Sequence, residues 1–344
     1  MNKQERIHSI ALALHEQGAF NGCLLVAEEG IPIYKGAFGF ADKEQGRLLT
    51  EQSIFDLASV SKAFTAAAAM LLQEQGKLKL DDRLESLFPD FPYTGMEVSH
   101  LLHHTSGLPD YMDLFELYWD KQQIAVNSDV LNMLKIHQPA VHFEVNDRYE
   151  YSNTGYVLLA LLIENVSGMS FAEFLSLYIF QPIGMKDTTL FNRRYSKTTL
   201  DNYAYAYLFD SAKESYVLPD FIQQHDYVIY LDGIQGDGTV NSTLDDMLLW
   251  DQALYSDQWL NRETLAKLFK GSSTNSGEYV PYGYGWCLEF ADQKEGQIYH
   301  DGGWAGYTSM FTRYTARNRT LLILANFHND LSALHKQIEA ILLE

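Results

Sequence analysis

The runs in this chain that read as β-strands lie near its two ends, and that distribution restricts the fold more than any single motif. Gly22-Cys23-Leu24-Leu25-Val26-Ala27 and Ile31-Pro32-Ile33-Tyr34-Lys35-Gly36 read as two strands turning at Glu29-Gly30. Four more apolar runs follow far downstream, at 284–290, 297–300, 308–314 and 320–326, and a last helix starts near Asp330. An amphipathic helix pattern precedes the first strand, through Gln17. The stretch between is mostly helical in pattern. With 344 residues, the chain exceeds what one core usually serves. The expectation is α/β (α+β) architecture, with an antiparallel sheet lobe assembled from residues 1–77 and 245–344 and an inserted helical lobe over 78–244. Gly76 suits the end of the helix leaving the sheet lobe, and Ser242-Thr243-Leu244-Asp245-Asp246 suits the start of the helix returning to it.

Within that frame, Ser59-Val60-Ser61-Lys62 reads S-x-x-K, Tyr151-Ser152-Asn153 reads Y-x-N and His300-Asp301-Gly302 reads H-x-G. An S-x-x-K alone arises about once by chance in a chain of this length. Its setting adds to it. Ser59 opens the alanine-rich stretch Lys62-Ala63-Phe64-Thr65-Ala66-Ala67-Ala68-Ala69-Met70, a strong helix former. A hydroxyl there meets free backbone N–H groups suited to an oxyanion. Lys62, three residues on, shares its helical face and can reach the hydroxyl. The plain alternatives are a helix cap for Ser59 and an ordinary turn for Tyr151-Ser152-Asn153.

Composition excludes several classes. A net charge of −20 argues against nucleic acid and against an anionic membrane surface. No run approaches the roughly 18 apolar residues of a membrane span. The polar start Met1-Asn2-Lys3-Gln4-Glu5-Arg6 lacks a secretory h-region, so a cytosolic chain is expected unless a leader has been removed. Cys23 and Cys287 are then expected as thiols. His100 and His104 stand i, i+4, but without the carboxylate of an H-E-x-x-H they predict no metal, and no cofactor is called for.

Taken together, the motifs resemble the serine β-lactamase and penicillin-binding superfamily, and most of all its class C-like branch of D-alanyl-D-alanine carboxypeptidases, D-aminopeptidases and esterases. Further blocks carry the likeness: Leu101-Leu102-His103-His104-Thr105-Ser106-Gly107-Leu108-Pro109, Gly236-Asp237-Gly238 and His300-Asp301-Gly302-Gly303-Trp304-Ala305-Gly306-Tyr307. The resemblance implies an acyl-enzyme on Ser59, with Lys62 and Tyr151 as candidate bases. The ammonium would lower the tyrosine pKa and burial that of the lysine. It implies that Asn153 and His300 contact substrate, that the N–H groups of Ser59 and Gly303 form the oxyanion hole, and that Gly302 and Gly303 open the strand to substrate.

Where many class C enzymes have Lys-Thr-Gly, this chain has His-Asp-Gly. A partly charged histidine followed by a carboxylate disfavours the carboxylate of a β-lactam. D-amino peptides, amides and esters are therefore the expected substrates, small molecules or short peptides. A β-lactamase or D-alanyl-D-alanine carboxypeptidase is the alternative, and a non-catalytic binding protein a third, disfavoured because Ser59, Lys62 and Tyr151 are all present. The alternating Tyr203-Ala204-Tyr205-Ala206-Tyr207 reads first as one face of an exposed strand, and otherwise as the wall of an acyl pocket.

Overall fold

The computed structural model describes residues 1–290 and 294–344. Six antiparallel strands form the main sheet, in the spatial order Cys287–Phe290, Gln297–Trp304, Tyr307–Tyr314, Arg319–Ala325, Gly22–Glu28, Ile31–Phe38. The two ends of the chain meet inside it: Gly22 to Glu28 pair with Ala325 to Arg319 in unbroken register. The first two strands turn through Glu29 and Gly30, whose φ angles of 52° and 75° suit a type I′ hairpin.

Both faces of this sheet are covered, which is why its central strands read as continuous apolar runs instead of alternating ones. On one face, Leu24, Val26, Leu321 and Ile323 pack under the terminal helices Lys3–Glu16 and Ser332–Leu342. On the other, Cys23, Leu25, Leu322 and Leu324 belong to the large core around the helix Lys62–Glu74. That helix is buried from Lys62 through Leu72 and packs against a second buried helix, Asn153–Ser167. Its alanines let backbones approach closely on every side. It ends as expected: Gly76, at φ 68°, donates to the Gln73 carbonyl. Among the described residues no single helix is long and apolar enough to cross a membrane, and no disulfide joins Cys23 and Cys287.

The returning helix, Leu244–Ala253, begins with Thr243 accepting the Asp246 N–H. It is tied to the sheet through Asp251. The Asp251 carboxylate accepts from Arg313 Nε and from Thr320 Oγ1 (2.6 Å), with both charged side chains at most 1% exposed. The Arg313 guanidinium also lies 4.6 Å from the Tyr255 ring centroid. Asp251→Ala leaves that cation buried and uncompensated. The expected cost is about 3–5 kcal/mol of unfolding free energy, read by urea denaturation.

The stretch Tyr203 to Tyr207 does not form the exposed strand suggested by its alternation. The Tyr203 and Tyr207 side chains are buried, and Asn326 donates to the Tyr205 carbonyl while its own carbonyl accepts the Tyr207 N–H. The segment serves as a wall instead.

Candidate active site

Ser59 sits one turn earlier than a regular helix start. It lies in a 3₁₀ turn, Ala58–Ser61, that leads into Lys62–Glu74. The turn is entered through Ala58 in the left-handed region, φ 47°, a conformation costly for a residue with a Cβ. Two contacts hold it there. Asp56 Oδ1 accepts the Ala58 N–H at 2.8 Å, and the strand Gln297–Trp304 presses on the turn through Gly302. A Cβ on Gly302 would stand 2.3 Å from the Leu57 carbonyl oxygen and 3.0 Å from the Ser59 nitrogen, so only glycine fits. Ser61, the second serine of the motif, accepts the Val240 N–H at 3.1 Å.

Lys62 is fully buried, and its Nζ reaches Ser59 Oγ at 3.0 Å, Asn153 Oδ1 at 2.8 Å and the Asp237 carbonyl at 2.7 Å. Burial pulls its pKa down to about 8, against the opposing pull of the Asp237 and Asp110 carboxylates. The same Nζ lies 4.9 Å from the Tyr151 ring centroid. One expectation fails here. Tyr151, although 40% exposed as a residue, is driven well above the usual phenol range, because enclosure of its hydroxyl outweighs the hydrogen bond with Ser59. It is a phenol at neutral pH, not a phenolate.

Asn153 stands at the start of its helix, where Ser152 Oγ accepts the Gly155 N–H and directs the asparagine side chain toward Lys62. Gly303 lines the cleft with Ser59, and a Cβ there would meet only open space. Gly302 does not open the strand to substrate; its missing side chain admits the Ser59 turn.

His300 also departs from expectation. It is 3% exposed, and both ring nitrogens are engaged within the protein: Nδ1 with the Asp301 carbonyl at 2.7 Å, Nε2 with the Tyr282 hydroxyl at 2.8 Å. Burial, with the Lys62 charge nearby, lowers its pKa to about 3. His300 is a neutral strut behind Tyr151, whose ring centroid lies 6.1 Å away, and not a half-charged substrate contact. Asp301 is exposed.

A cleft opens beside Ser59, with Phe191, Tyr203, Val228, Trp304 and Tyr307 among its apolar walls. Its guanidiniums are committed. Arg193 and Arg194 both bind Asp220, and Arg194 also binds Asp232 at 3.0 Å. Asp56 lines the same cleft, forms no ion pair among the described residues, and is pushed up to about 7, chiefly by burial and further by Asp232 and Asp237. The sequence assigns no role to Asp56, Arg193, Arg194 or the Asp237 carbonyl, although Phe55-Asp56-Leu57-Ala58 and Gly236-Asp237-Gly238 lie in blocks that carry the family likeness.

This geometry accords with relationships across the whole chain. The family profile described as Beta-lactamase matches residues 8–343. "Penicillin-binding protein 4*" of Bacillus subtilis (strain 168) is 45% identical over 329 residues, which cover 96% of this chain and 73% of that protein. A D-aminopeptidase of Brucella anthropi is 29% identical over 284 residues, 82% of this chain but only 51% of the relative's length. The crystal structure of a penicillin binding protein from Bacillus halodurans superposes with a TM-score of 0.81 at 28% identity, covering 97% of this chain and 98% of that one. The chain belongs to the beta-lactamase family and, by that membership, is a serine hydrolase.

Proposed function

We propose that the protein cleaves D-aminoacyl amides, short D-amino peptides or the corresponding esters through an acyl-enzyme on Ser59. The observation that carries this reading is the convergence of Ser59, Asn153 and the Asp237 carbonyl on one buried lysine. Neutral Lys62 takes the Ser59 proton as Oγ attacks the substrate carbonyl. The resulting oxyanion lies against the N–H groups of Ser59 and Gly303. Tyr151, a phenol at neutral pH, gives its proton to the departing amine or alkoxide and regains one from the Lys62 ammonium. Water then releases the acid and restores Ser59. Asn153 holds Lys62 and the substrate in place.

The cleft supports an amine-bearing acyl group over a β-lactam. Asp56, with no protein cation on it and pushed up to about 7, becomes fully ionised when an ammonium pairs with it, while the apolar walls suit the D-side chain. His300, neutral and engaged on both nitrogens, supplies no cation for a β-lactam carboxylate. The relative named a D-aminopeptidase points the same way, and the two named penicillin-binding proteins keep the carboxypeptidase reading as the alternative. The deciding experiment measures kcat/KM on D-alanine p-nitroanilide, its N-acetyl derivative, a D-Ala-D-Ala peptide and penicillin G. The free-amine anilide should exceed its acetylated form by about tenfold or more, the size of one charge-assisted contact. Faster turnover of penicillin G than of either anilide would overturn the substrate class.

A further inference from the structure

We infer that His104 is a positioning residue for Tyr151, holding the peptide on both sides of that side chain. This rests on the reading of Tyr151 as the proton donor to the leaving group. The His104 carbonyl accepts the Glu150 N–H at 3.0 Å, and His104 Nδ1 accepts the Ser152 N–H at 3.0 Å. Tyr151 is the residue between. The imidazole itself lies on the tyrosine, with ring centroids 4.3 Å apart and planes 33° from parallel. One residue therefore fixes the backbone before Tyr151, the backbone after it and the ring.

The arrangement uses histidine chemistry specifically. Because the Ser152 N–H is a donor, Nδ1 must present its lone pair, and the proton of the neutral ring resides on Nε2. His104 is 1% exposed, enclosed by Tyr156 at 5.0 Å and Tyr282 at 4.5 Å between centroids. Its backbone is left-handed, φ 59°, a conformation that turns both the carbonyl and the side chain toward the Tyr151 segment. Tyr282 continues the cluster to His300 through its hydroxyl, and the His300 ring lies 6.1 Å from that of Tyr151. His104 touches no reacting atom. Its effect passes through the tyrosine.

A displaced Tyr151 impairs reactions that need leaving-group protonation and spares those that do not. An anilide nitrogen must be protonated to depart, whereas p-nitrophenolate leaves as an anion. The test compares kcat/KM, which reports acylation, on D-alanine p-nitroanilide and D-alanine p-nitrophenyl ester. His104→Gly suits φ 59° and deletes both the acceptor and the ring; His104→Asn tolerates the same backbone and restores an acceptor for Ser152. For His104→Gly the anilide rate should fall about tenfold to a hundredfold, as expected for a misplaced catalytic group, while the ester rate changes less than about threefold. His104→Asn should recover most of the anilide rate. Equal losses on both substrates, or no loss on either, would overturn the positioning role, and if His104→Gly does not fold, failure of folded His104→Asn to keep the wild-type anilide-to-ester ratio does so too. Tyr151→Phe separates the two ideas. If it lacks the same anilide-selective loss, the reading of Tyr151 as proton donor fails; if it shows that loss and His104→Gly does not, the inference about His104 fails.

Discussion

Ser59→Ala should lose all covalent labelling by a phosphonate, seen as the absence of an adduct in the intact mass, and its turnover should fall by roughly 10⁴–10⁶-fold. The neighbouring serines cannot stand in, and the Thr239 hydroxyl is tied to the Gly238 carbonyl. Ser61 Oγ is buried and accepts the Val240 N–H, and Ser152 Oγ caps its helix at Gly155. Ser106 is buried in the turn before Leu108. The variant should fold, because Lys62 keeps Asn153 Oδ1 and the Asp237 carbonyl as acceptors. A thermal melt close to wild type would confirm it. A labelled Ser59→Ala protein would remove Ser59 from the chemistry.

The meeting of Ser59, Lys62 and Asn153 was legible in the sequence because their motifs are short-range. Ser59 and Lys62 meet through helical spacing, and Ser152 sets Asn153 through a local cap. The sheet was equally legible, since strands covered on both faces spell continuous apolar runs. What escaped depends on contacts between distant segments. Nothing around His300 announces that the Tyr282 hydroxyl will take one ring nitrogen and the Asp301 carbonyl the other. Burial then decides its charge, so a residue expected to face substrate became a strut. The Tyr151 pKa failed for the same reason. Proximity to Lys62 was inferable, but the enclosure of the phenol hydroxyl that raises its pKa was not. Asp56 reads as one more strand residue until Gly302 and Ala58 show what its carboxylate supports. The alternating tyrosines from 203 onward carry a strand pattern, but Asn326, more than a hundred residues away, claims the backbone at Tyr205 and Tyr207, and Tyr203 and Ala206 line the cleft.

Lys62 makes the sharper mechanistic test, because burial ties its protonation state to rate. With its pKa held near 8, about a tenth of the enzyme carries the neutral amine at pH 7. The neutral form is the base, so activity on the N-acetylated anilide, which carries no amine for Asp56, must rise with pH: kcat/KM should increase about tenfold per unit on the acid side and flatten above about pH 8. Lys62→Met keeps the volume of the side chain but removes the base, and leaves Asn153 Oδ1 and the Asp237 carbonyl without their donor. Turnover should drop by at least about a hundredfold, and the limb near pH 8 should disappear from whatever activity remains. Tyr151→Phe should lose a similar factor on anilides yet retain that limb, because its lysine still titrates. The measurement is the pH profile of kcat/KM for all three proteins from pH 5 to about 10, with folding checked at each end. A limb that survives in Lys62→Met but vanishes in Tyr151→Phe would exchange the two roles and make the tyrosine the base.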